Sequence, residues 1–128
     1  MKPIILNGTV VHGNHLGATI DMPTANIYPL EDITNLPKGV YYSKVSVDGK
    51  SYKAITNIGT KPTVKSDNAV NAESYLYDFS GDLYGKDIIV ELVEFRRPEM
   101  KFDSFEQLTN QMHQDMEAGQ NFLQKITK

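Results

Sequence analysis

The spacing of apolar and polar residues divides the chain into a strand-rich part and one helical segment. Over the first three quarters, short apolar runs alternate with turn residues, a pattern typical of an antiparallel sheet. The predicted strands are Ile4–Val11 (interrupted by Gly8), Ala25–Tyr28, Gly39–Val47, Lys50–Ile58, Ala72–Phe79 and Asp87–Phe95. The long stretches 12–38 and 59–70 are predicted to be mainly loop, and loops of such length are usually functional or disordered.

Local turn chemistry supports this division. Asp48-Gly49 separates the third and fourth strands, and a two-residue Asp-Gly link favours a type I′ hairpin turn. Gly8, inside the first strand, indicates a bulge or a close approach of another backbone.

The apolar period changes to that of a helix near the end of the sequence. The residues at three-to-four spacing are Phe105, Leu108, Met112, Gly119, Phe122 and Ile126. Ser104 with Gln107, or Asp103 with Glu106, supplies a capping box at the start. Gly119 weakens the last turns by about 1 kcal/mol relative to alanine. We expect this helix to cover an open side or end of a small sheet or barrel.

Composition and charge narrow the function classes. With 128 residues, we expect one domain over residues 1–128. The absence of cysteine excludes a disulfide framework, a thiol nucleophile and a zinc site built on sulfur. The net charge of −3 and the presence of only two arginines argue against nucleic-acid binding. The sequence has no run of about 18 apolar residues and no signal-peptide core at its start, so we expect a cytoplasmic protein.

The segment after the first strand holds candidate groups for binding a phosphate and a cation. Gly13 and Gly17 allow backbone N–H groups to approach phosphate oxygens. Thr24 and Asn26 lie two apart, so in an extended segment both point to one side. Their neutral oxygens suit a magnesium ion that bridges nucleotide phosphates. The alternative interpretation is that these residues only build a turn.

Glu73 is the carboxylate with the most unusual position. By strand alternation it shares a face with Tyr75, Tyr77 and Phe79. A carboxylate on an aromatic face is a candidate for a base with a raised pKa that accepts a proton from a substrate hydroxyl. The alternative is a glutamate at a strand end whose carboxylate reaches water.

The paired arginines and the histidines are further candidate ligands. In Arg96-Arg97-Pro98-Glu99, an arginine is able to stack on an aromatic ligand or donate hydrogen bonds to its carbonyl groups. The alternative is a surface salt bridge worth at most about 1 kcal/mol. His12 and His15 do not predict a metal site, because no further ligand is placed to complete it.

Seven short motifs occur in an order that matches a known family. They are Gly8-Thr9-Val10-Val11-His12-Gly13, Pro23-Thr24-Ala25-Asn26-Ile27, Leu36-Pro37-Lys38-Gly39-Val40-Tyr41, Asn57-Ile58-Gly59-Thr60-Lys61-Pro62-Thr63, Glu73-Ser74-Tyr75-Leu76-Tyr77-Asp78-Phe79, Asp82-Leu83-Tyr84-Gly85 and Arg96-Arg97-Pro98-Glu99-Met100-Lys101-Phe102. Together they resemble the riboflavin kinase (flavokinase) domain, which is also the C-terminal module of bifunctional riboflavin kinase/FAD synthetases. The resemblance covers nearly the whole chain, and Leu108 and Asp115 in the last helix also fit it.

The resemblance implies a mainly β fold, a six-stranded antiparallel Greek-key barrel with a C-terminal α-helix. It implies Mg²⁺-dependent transfer of the γ-phosphoryl group of ATP to the ribityl 5′-hydroxyl of riboflavin, giving FMN. The partners implied are riboflavin and ATP, with a monomer acting without nucleic acid or membrane. Since the match is to the kinase module with nothing appended, FAD synthesis is not expected. The alternative function is a flavin- or nucleotide-binding sensor that has lost catalysis.

The resemblance also implies residue roles. It makes Thr24 and Asn26 the residues that bind magnesium together with the nucleotide phosphates, and Glu73 the catalytic base. The nucleotide loop matches roughly 13–22, which includes Gly13, Gly17 and Ala18. The flavin-closing segment matches 96–102, which includes Arg96, Arg97, Glu99 and Phe102.

Three positions depart from the family pattern. Gly17-Ala18 stands where the family usually has Gly-Arg, and Asp21-Met22 stands where it usually has Gly-Phe. Tyr75 replaces the usual histidine two residues after the base. The two loop changes bear on nucleotide affinity more than on the type of reaction, because Thr24, Asn26 and Glu73 are all retained.

Overall fold

The computed structural model describes residues 2–11, 23–61 and 69–126. These residues form six strands and one helix. The elements are β1 (Ile4–Thr9), β2 (Thr24–Ile27), β3 (Gly39–Val47), β4 (Lys50–Lys61), β5 (Ala69–Leu76), β6 (Asp87–Pro98) and α1 (Phe105–Ile126). Every predicted strand is therefore confirmed, and the differences lie at the strand ends.

All strand pairs are antiparallel, and the order across the sheet is β1-β6-β3-β4-β5-β2. The sheet curls into a half-barrel, so its two edge strands approach each other. The backbone N–H of Val11 donates to the Asn26 carbonyl oxygen at 2.8 Å. A Cβ at Gly8 would lie 2.9 Å from the Ile27 Cβ, so the close approach at this glycine is to a side chain and not to the backbone that was predicted. The expectation of a mainly β, six-stranded antiparallel fold with a C-terminal helix is confirmed.

The β3–β4 hairpin turns at the predicted dipeptide. Asp48 and Gly49 have φ values of +51° and +79°, as a type I′ turn requires. The Asp48 carboxylate also accepts from the Lys86 ammonium group at 2.8 Å. The turn residues and the ion pair with Lys86 together stabilise this exposed end of the sheet.

The concave side of the sheet encloses the main apolar core. Side chains such as Leu6, Ile27, Val45 and Leu92 are fully buried there. A chain of hydroxyl groups crosses the same side on three neighbouring strands. In this chain Thr56 Oγ1 lies 2.7 Å from both Ser43 Oγ and Ser74 Oγ, so these buried polar atoms satisfy one another.

Helix α1 packs on the convex side, against β3 and β4. A second apolar cluster fills this interface, and its buried members are Val40, Tyr42, Ile55, Tyr75, Met112 and Leu123. The helix therefore covers one face of the curled sheet, as the sequence predicted. Among the described residues, no helix is both long and apolar enough to cross a membrane.

The predicted apolar face of the helix is confirmed over most of its length. Leu108, Met112 and Phe122 contact the second cluster. Phe105 is 61% exposed, so the prediction was wrong for this residue. Phe105 is the first residue of α1 and precedes Leu108, where contact with the sheet begins. The side chain of Ile126 lies outside the described residues.

The start of α1 uses the first of the two predicted capping pairs. Ser104 Oγ accepts from the Gln107 backbone N–H at 3.1 Å, and Gln107 Oε1 accepts from the Asp103 N–H at 3.0 Å. These bonds satisfy N–H groups that have no partner within the helix.

Candidate active site

The register of the sheet brings residues from five strands into one row on the convex face. Across neighbouring strands, Asn26 pairs with Glu73, Glu73 with Asn57, Asn57 with Val40, and Val40 with Arg97. Side chains in register on one face are close neighbours. The row therefore joins the predicted metal-binding strand, the predicted base and the predicted flavin-binding segment.

Glu73 lies in the middle of β5 and is 4% exposed. The interpretation of a strand-end glutamate reaching water is therefore wrong. Asn26 Nδ2 lies 3.5 Å from Glu73 Oε2, and Asn26 Oδ1 accepts from Asn71 Nδ2 at 3.2 Å. Among the described residues, the buried Asn71 Oδ1 has no hydrogen-bond partner. These three side chains form a compact polar group next to the apolar cluster.

Tyr75 follows Glu73 on the same face, as alternation predicted. Burial and then the negative charge of Glu73 raise the pKa of the Tyr75 hydroxyl above its ordinary value. Tyr77 also contacts the convex cluster. The prediction was wrong for Phe79, because β5 ends at Leu76 and a positive φ at Asp78 redirects the chain. Phe79 packs instead against Tyr52 on the concave side, with ring centroids 5.1 Å apart.

Thr24 and Asn26 both belong to β2, so the interpretation that they only build a turn is wrong. Ala25 and Ile27 point into the concave core, which leaves Thr24 and Asn26 on the convex face. Within the described parts of the chain, no group of three histidine or acidic side chains could hold a cation alone. The neutral oxygens of Thr24 and Asn26 fit Mg²⁺ when phosphates supply the remaining ligands and the negative charge.

A cavity of about 200 Å³ lies between α1, the convex face and the segment after β6. Its lining residues are Val40, Ile55, Thr56, Asn57, Glu73, Tyr75, Arg97, Glu99, Met100, Phe102, Leu108, Met112 and Asp115. One half is apolar and the other carries charged and amide groups. Glu73, Arg97, Glu99 and Phe102 are brought together as the sequence predicted, whereas Arg96 is not among the lining residues.

Arg96 and Arg97 both bind the carboxylate of Asp115 on α1. Arg97 donates through Nε and Nη2 at 2.9 and 2.7 Å, and Arg96 donates through Nε at 2.9 Å. The Asp115 side chain is only 4% exposed, so the alternative of a surface salt bridge is wrong. Burial raises the pKa of the Asp115 carboxyl, but the hydrogen bonds from Arg97 and Arg96 outweigh this effect and hold it below its ordinary value.

A β-bulge explains how two consecutive arginines reach one carboxylate. Tyr41 pairs with Phe95 and Val40 pairs with Arg97, which leaves Arg96 as the extra residue. Phe95 packs on the concave side against Tyr41, with ring centroids 5.0 Å apart. The inserted residue changes the alternation, so both arginines lie on the convex face.

Sequence reasoning did not assign Asp115 to the site. The available signal was its position on the apolar face of α1, three residues after Met112 and four before Gly119. A charged residue at such a position requires a partner. The partners are Arg96 and Arg97, and the strand period alone does not predict the bulge that brings both of them to Asp115.

The predicted nucleotide-loop residues Gly13, Gly17 and Ala18 lie outside the described residues. The same holds for Asp21-Met22 and for His12 and His15. Their assigned roles stay predictions.

Comparison with known proteins gives a consistent result. A family model described as riboflavin kinase (flavokinase) matches residues 1–123. A bifunctional riboflavin kinase/FMN adenylyltransferase from Listeria monocytogenes is 37% identical over 124 residues, which are 97% of this chain and 40% of that protein. An RNA-binding riboflavin kinase, RibR, from Bacillus subtilis is 39% identical over 112 residues, 88% of this chain and 48% of that protein.

A solved structure is similar over most of both chains. The riboflavin kinase from Trypanosoma brucei superposes with a TM-score of 0.67 at 26% identity, covering 98% of this chain and 83% of that chain. The present chain spans less than half the length of the two curated relatives described above.

Proposed function

The chain belongs to the riboflavin kinase family, and from this premise we propose that it transfers the γ-phosphoryl group of ATP to the 5′-hydroxyl of riboflavin. The products are FMN and ADP. The observation that carries the proposal is the position of Glu73, a buried carboxylate that lies between the cavity and the Thr24–Asn26 pair. A hydroxyl substrate and a nucleotide phosphate approach Glu73 from these two sides.

The flavin ring occupies the cavity in this proposal. Aliphatic and aromatic side chains of the apolar half cover its faces, while Arg97 and Glu99 lie at the polar half. Phe102 contributes from the segment after β6. Arg96 supports the same segment through Asp115 and through the Tyr42 hydroxyl, to which its Nη1 donates at 3.3 Å. The ribityl chain then leads from the cavity toward Glu73.

The nucleotide phosphates lie next to β2. Thr24 and Asn26 would hold Mg²⁺ together with these phosphates, while the nucleotide-binding role of Gly13, Gly17 and Ala18 rests on the sequence resemblance alone. When bound, the metal supplies neutralisation of the phosphate charge, which is a main requirement of phosphoryl transfer. Asn71 holds the Asn26 amide by donating to its Oδ1 at 3.2 Å.

The chemical step needs one base. The Glu73 carboxylate accepts the proton of the ribityl 5′-hydroxyl while that oxygen forms a bond to the γ-phosphorus. The bond between this phosphorus and the oxygen bridging it to the β-phosphate breaks, and ADP leaves with the electron pair. Packing of α1 and the segment after β6 around the cavity excludes water, which suppresses ATP hydrolysis.

The first experiment measures FMN formation by chromatography with riboflavin, ATP and Mg²⁺. Glu73→Gln is expected to lower kcat by about 10²- to 10⁴-fold, because general-base catalysis contributes that range, while riboflavin binding by fluorescence titration is retained. Glu117→Gln, an exposed site on α1, is the matched control.

Each outcome of this experiment separates two possibilities. Unchanged turnover in Glu73→Gln would remove the assigned base. Binding of riboflavin without any product in the unmodified protein would make it a sensor instead of a kinase. Loss of activity on removing Mg²⁺ with a chelator, and its return on adding Mg²⁺ back, is expected if Thr24 and Asn26 act as proposed.

We also propose that residues 1–128 act as a single domain, a monomer that works in the cytoplasm on small molecules and without nucleic acid. The absence of a nucleic-acid partner is supported by the net charge of −3 and by the binding of both arginines to one carboxylate. Sedimentation tests the monomer, and a binding titration with RNA at low salt tests the absence of a nucleic-acid partner.

A further inference from the structure

The two arginines at the end of β6 are not equivalent, although both bind Asp115. Arg97 lines the cavity and Arg96 does not. We propose that Asp115 is a positioning residue for flavin recognition, which acts by orienting the guanidinium group of Arg97 toward the cavity. The inference rests on the proposed function, because it assigns the cavity to the flavin.

The hydrogen bonds of Arg97 leave part of its guanidinium group for a ligand. A guanidinium group has five N–H donors in a fixed plane. Nε and Nη2 donate to Asp115, and Nη1 donates to the Pro98 carbonyl oxygen at 3.0 Å. Within the described parts of the chain, three of these donors are used and two remain. Because Asp115 holds the group along one edge, the plane of the remaining donors is fixed, and they suit the carbonyl oxygens of a flavin ring.

Asp115 itself is poorly suited to bind the ligand directly. Its Oδ1 accepts from Arg96, Arg97 and Gln111, and its Oδ2 accepts from Arg97. An ionised carboxylate has only acceptor atoms, and both oxygens of Asp115 already accept from these donors. Its negative charge also repels the carbonyl oxygen of a ligand. Arg96 and Arg97 together more than balance the negative charge of the Asp115 carboxylate. Asp115 therefore acts on the ligand through Arg97.

The backbone beneath Arg97 is also fixed. The bulge at Arg96 turns both side chains toward α1. Gly39 pairs with Pro98 and has a φ of +144°, and a Cβ at Gly39 would lie 2.1 Å from the Arg97 carbonyl oxygen. Only glycine permits this approach. The bulge in β6 and the contact with Gly39 fix the backbone of Arg97, and Asp115 of α1 fixes its guanidinium group.

The test compares Asp115→Asn with Asp48→Asn, the same change in an exposed ion pair at the opposite end of the sheet. In Asp115→Asn, we expect the Kd and KM for riboflavin to rise about tenfold to hundredfold, since charge-assisted hydrogen bonds that orient Arg97 are lost. The kcat and the KM for ATP should stay within about twofold. Asp48→Asn should leave all four constants unchanged.

A second pair of variants guards against a purely structural effect. Arg97→Lys keeps the charge opposite Asp115 but removes the planar fork, so riboflavin binding should weaken nearly as much as in Arg97→Gln. Adding Asp115→Asn to Arg97→Gln should weaken riboflavin binding little further, because each change alone already removes the guanidinium group that Asp115 orients toward the cavity or the contact that orients it. Melting curves followed by circular dichroism confirm that each variant is folded.

The inference is overturned if folded Asp115→Asn binds riboflavin as tightly as the unmodified protein, or if its effect multiplies fully with that of Arg97→Gln. It is also overturned if Arg97→Lys binds normally. The proposed function fails separately, when the unmodified protein binds riboflavin but forms no FMN. The binding titrations need no nucleotide, so they test Asp115 in either case.

Discussion

At the scale of single residues, the site depends on two acids with different surroundings. Glu73 is buried beside the Asn26 amide and the Tyr75 hydroxyl. Asp115 is buried beside two guanidinium groups. A carboxylate that serves as a base must be able to take up a proton, whereas one held by two arginines resists protonation. In the proposed function Glu73 acts as the base and Asp115 as a positioning residue.

The pKa of Asp115 gives the protein a dependence of stability on pH. Its ordinary pKa is 3.8, and the pKa in the folded protein is lower. A depressed pKa contributes stability that is present above pH 3.8 and is lost as the pH falls through the folded value. Asp115→Asn should lower the free energy of unfolding by about 3 kcal/mol at pH 7, as expected when one partner leaves a buried pair.

Chemical denaturation between pH 2 and 7 measures this effect. The difference between the unmodified protein and Asp115→Asn should shrink as the pH falls below 3.8, where the native carboxyl loses its charge. Asp48→Asn, at an exposed site, provides the control. A difference that stays constant over the whole range would contradict the assigned ion pairs.

Single residues also show where sequence reasoning stops. Period-two alternation predicted that Thr24 and Asn26 share a face and that Glu73 shares one with Tyr75. Their functional roles come from the resemblance and stay predictions. The link between Asp115 and Arg97 could not be found from alternation, because it crosses from a helix to a strand whose alternation is broken by a bulge. Roles at 12–22 stay predictions, because that segment is outside the described residues.

At the scale of elements, the packing of α1 on the sheet depends on one glycine. The sequence treats Gly119 as a weakness of the helix. In the structure, a Cβ at this position would lie 2.5 Å from the Tyr77 hydroxyl oxygen and 2.6 Å from Ile55 Cγ2. Tyr77 also donates its hydroxyl to the Met116 carbonyl oxygen at 2.6 Å, which fixes this close approach.

Gly119→Ala tests which of two opposing effects is larger. Alanine improves helix propensity by about 1 kcal/mol, but overpacking typically costs about 1–3 kcal/mol. Because Tyr77 is held by its hydrogen bond, we expect a net destabilisation of about 1–2 kcal/mol in urea unfolding. Gln120→Ala, the exposed neighbour, should change stability by less than about 0.5 kcal/mol. A stabilised Gly119→Ala variant would contradict this, because it would mean that Tyr77 and Ile55 shift to accommodate the added methyl group.

Elements whose signals are local were predicted well. The Asp48-Gly49 turn and the Ser104 cap depend on neighbouring residues, so the sequence contains their whole cause. The end of β5 was missed because it depends on a positive φ at Asp78, a residue that adopts such a conformation only in some contexts. That error moved Phe79 to the wrong face of the sheet.

At the scale of the whole molecule, the sheet separates two apolar clusters with different relations to the site. The concave cluster contains Leu92 and the convex cluster contains Leu123, and both side chains are fully buried. Among the residues that the structure describes, only the convex cluster shares buried members with the cavity lining, namely Val40, Ile55, Tyr75 and Met112.

The two leucines therefore allow a matched comparison. Leu92→Ala and Leu123→Ala should each destabilise the protein by about 2–5 kcal/mol. We expect only Leu123→Ala to raise the Kd for riboflavin, because α1 forms a wall of the cavity. Urea unfolding and fluorescence titration below the melting temperature measure the two effects. Equal loss of riboflavin affinity in both variants would contradict the separate roles of the clusters.

The row of residues on the convex face has a consequence for how the protein is made. Asn26, Glu73 and Arg97 are synthesised well before Asp115 and the remainder of α1. A nascent chain in which the sheet has emerged from the ribosome still lacks the helical wall of the cavity. Domains generally fold as units during synthesis. In the proposed function, flavin binding by a newly made chain therefore begins only after α1 has left the exit tunnel and completed this wall.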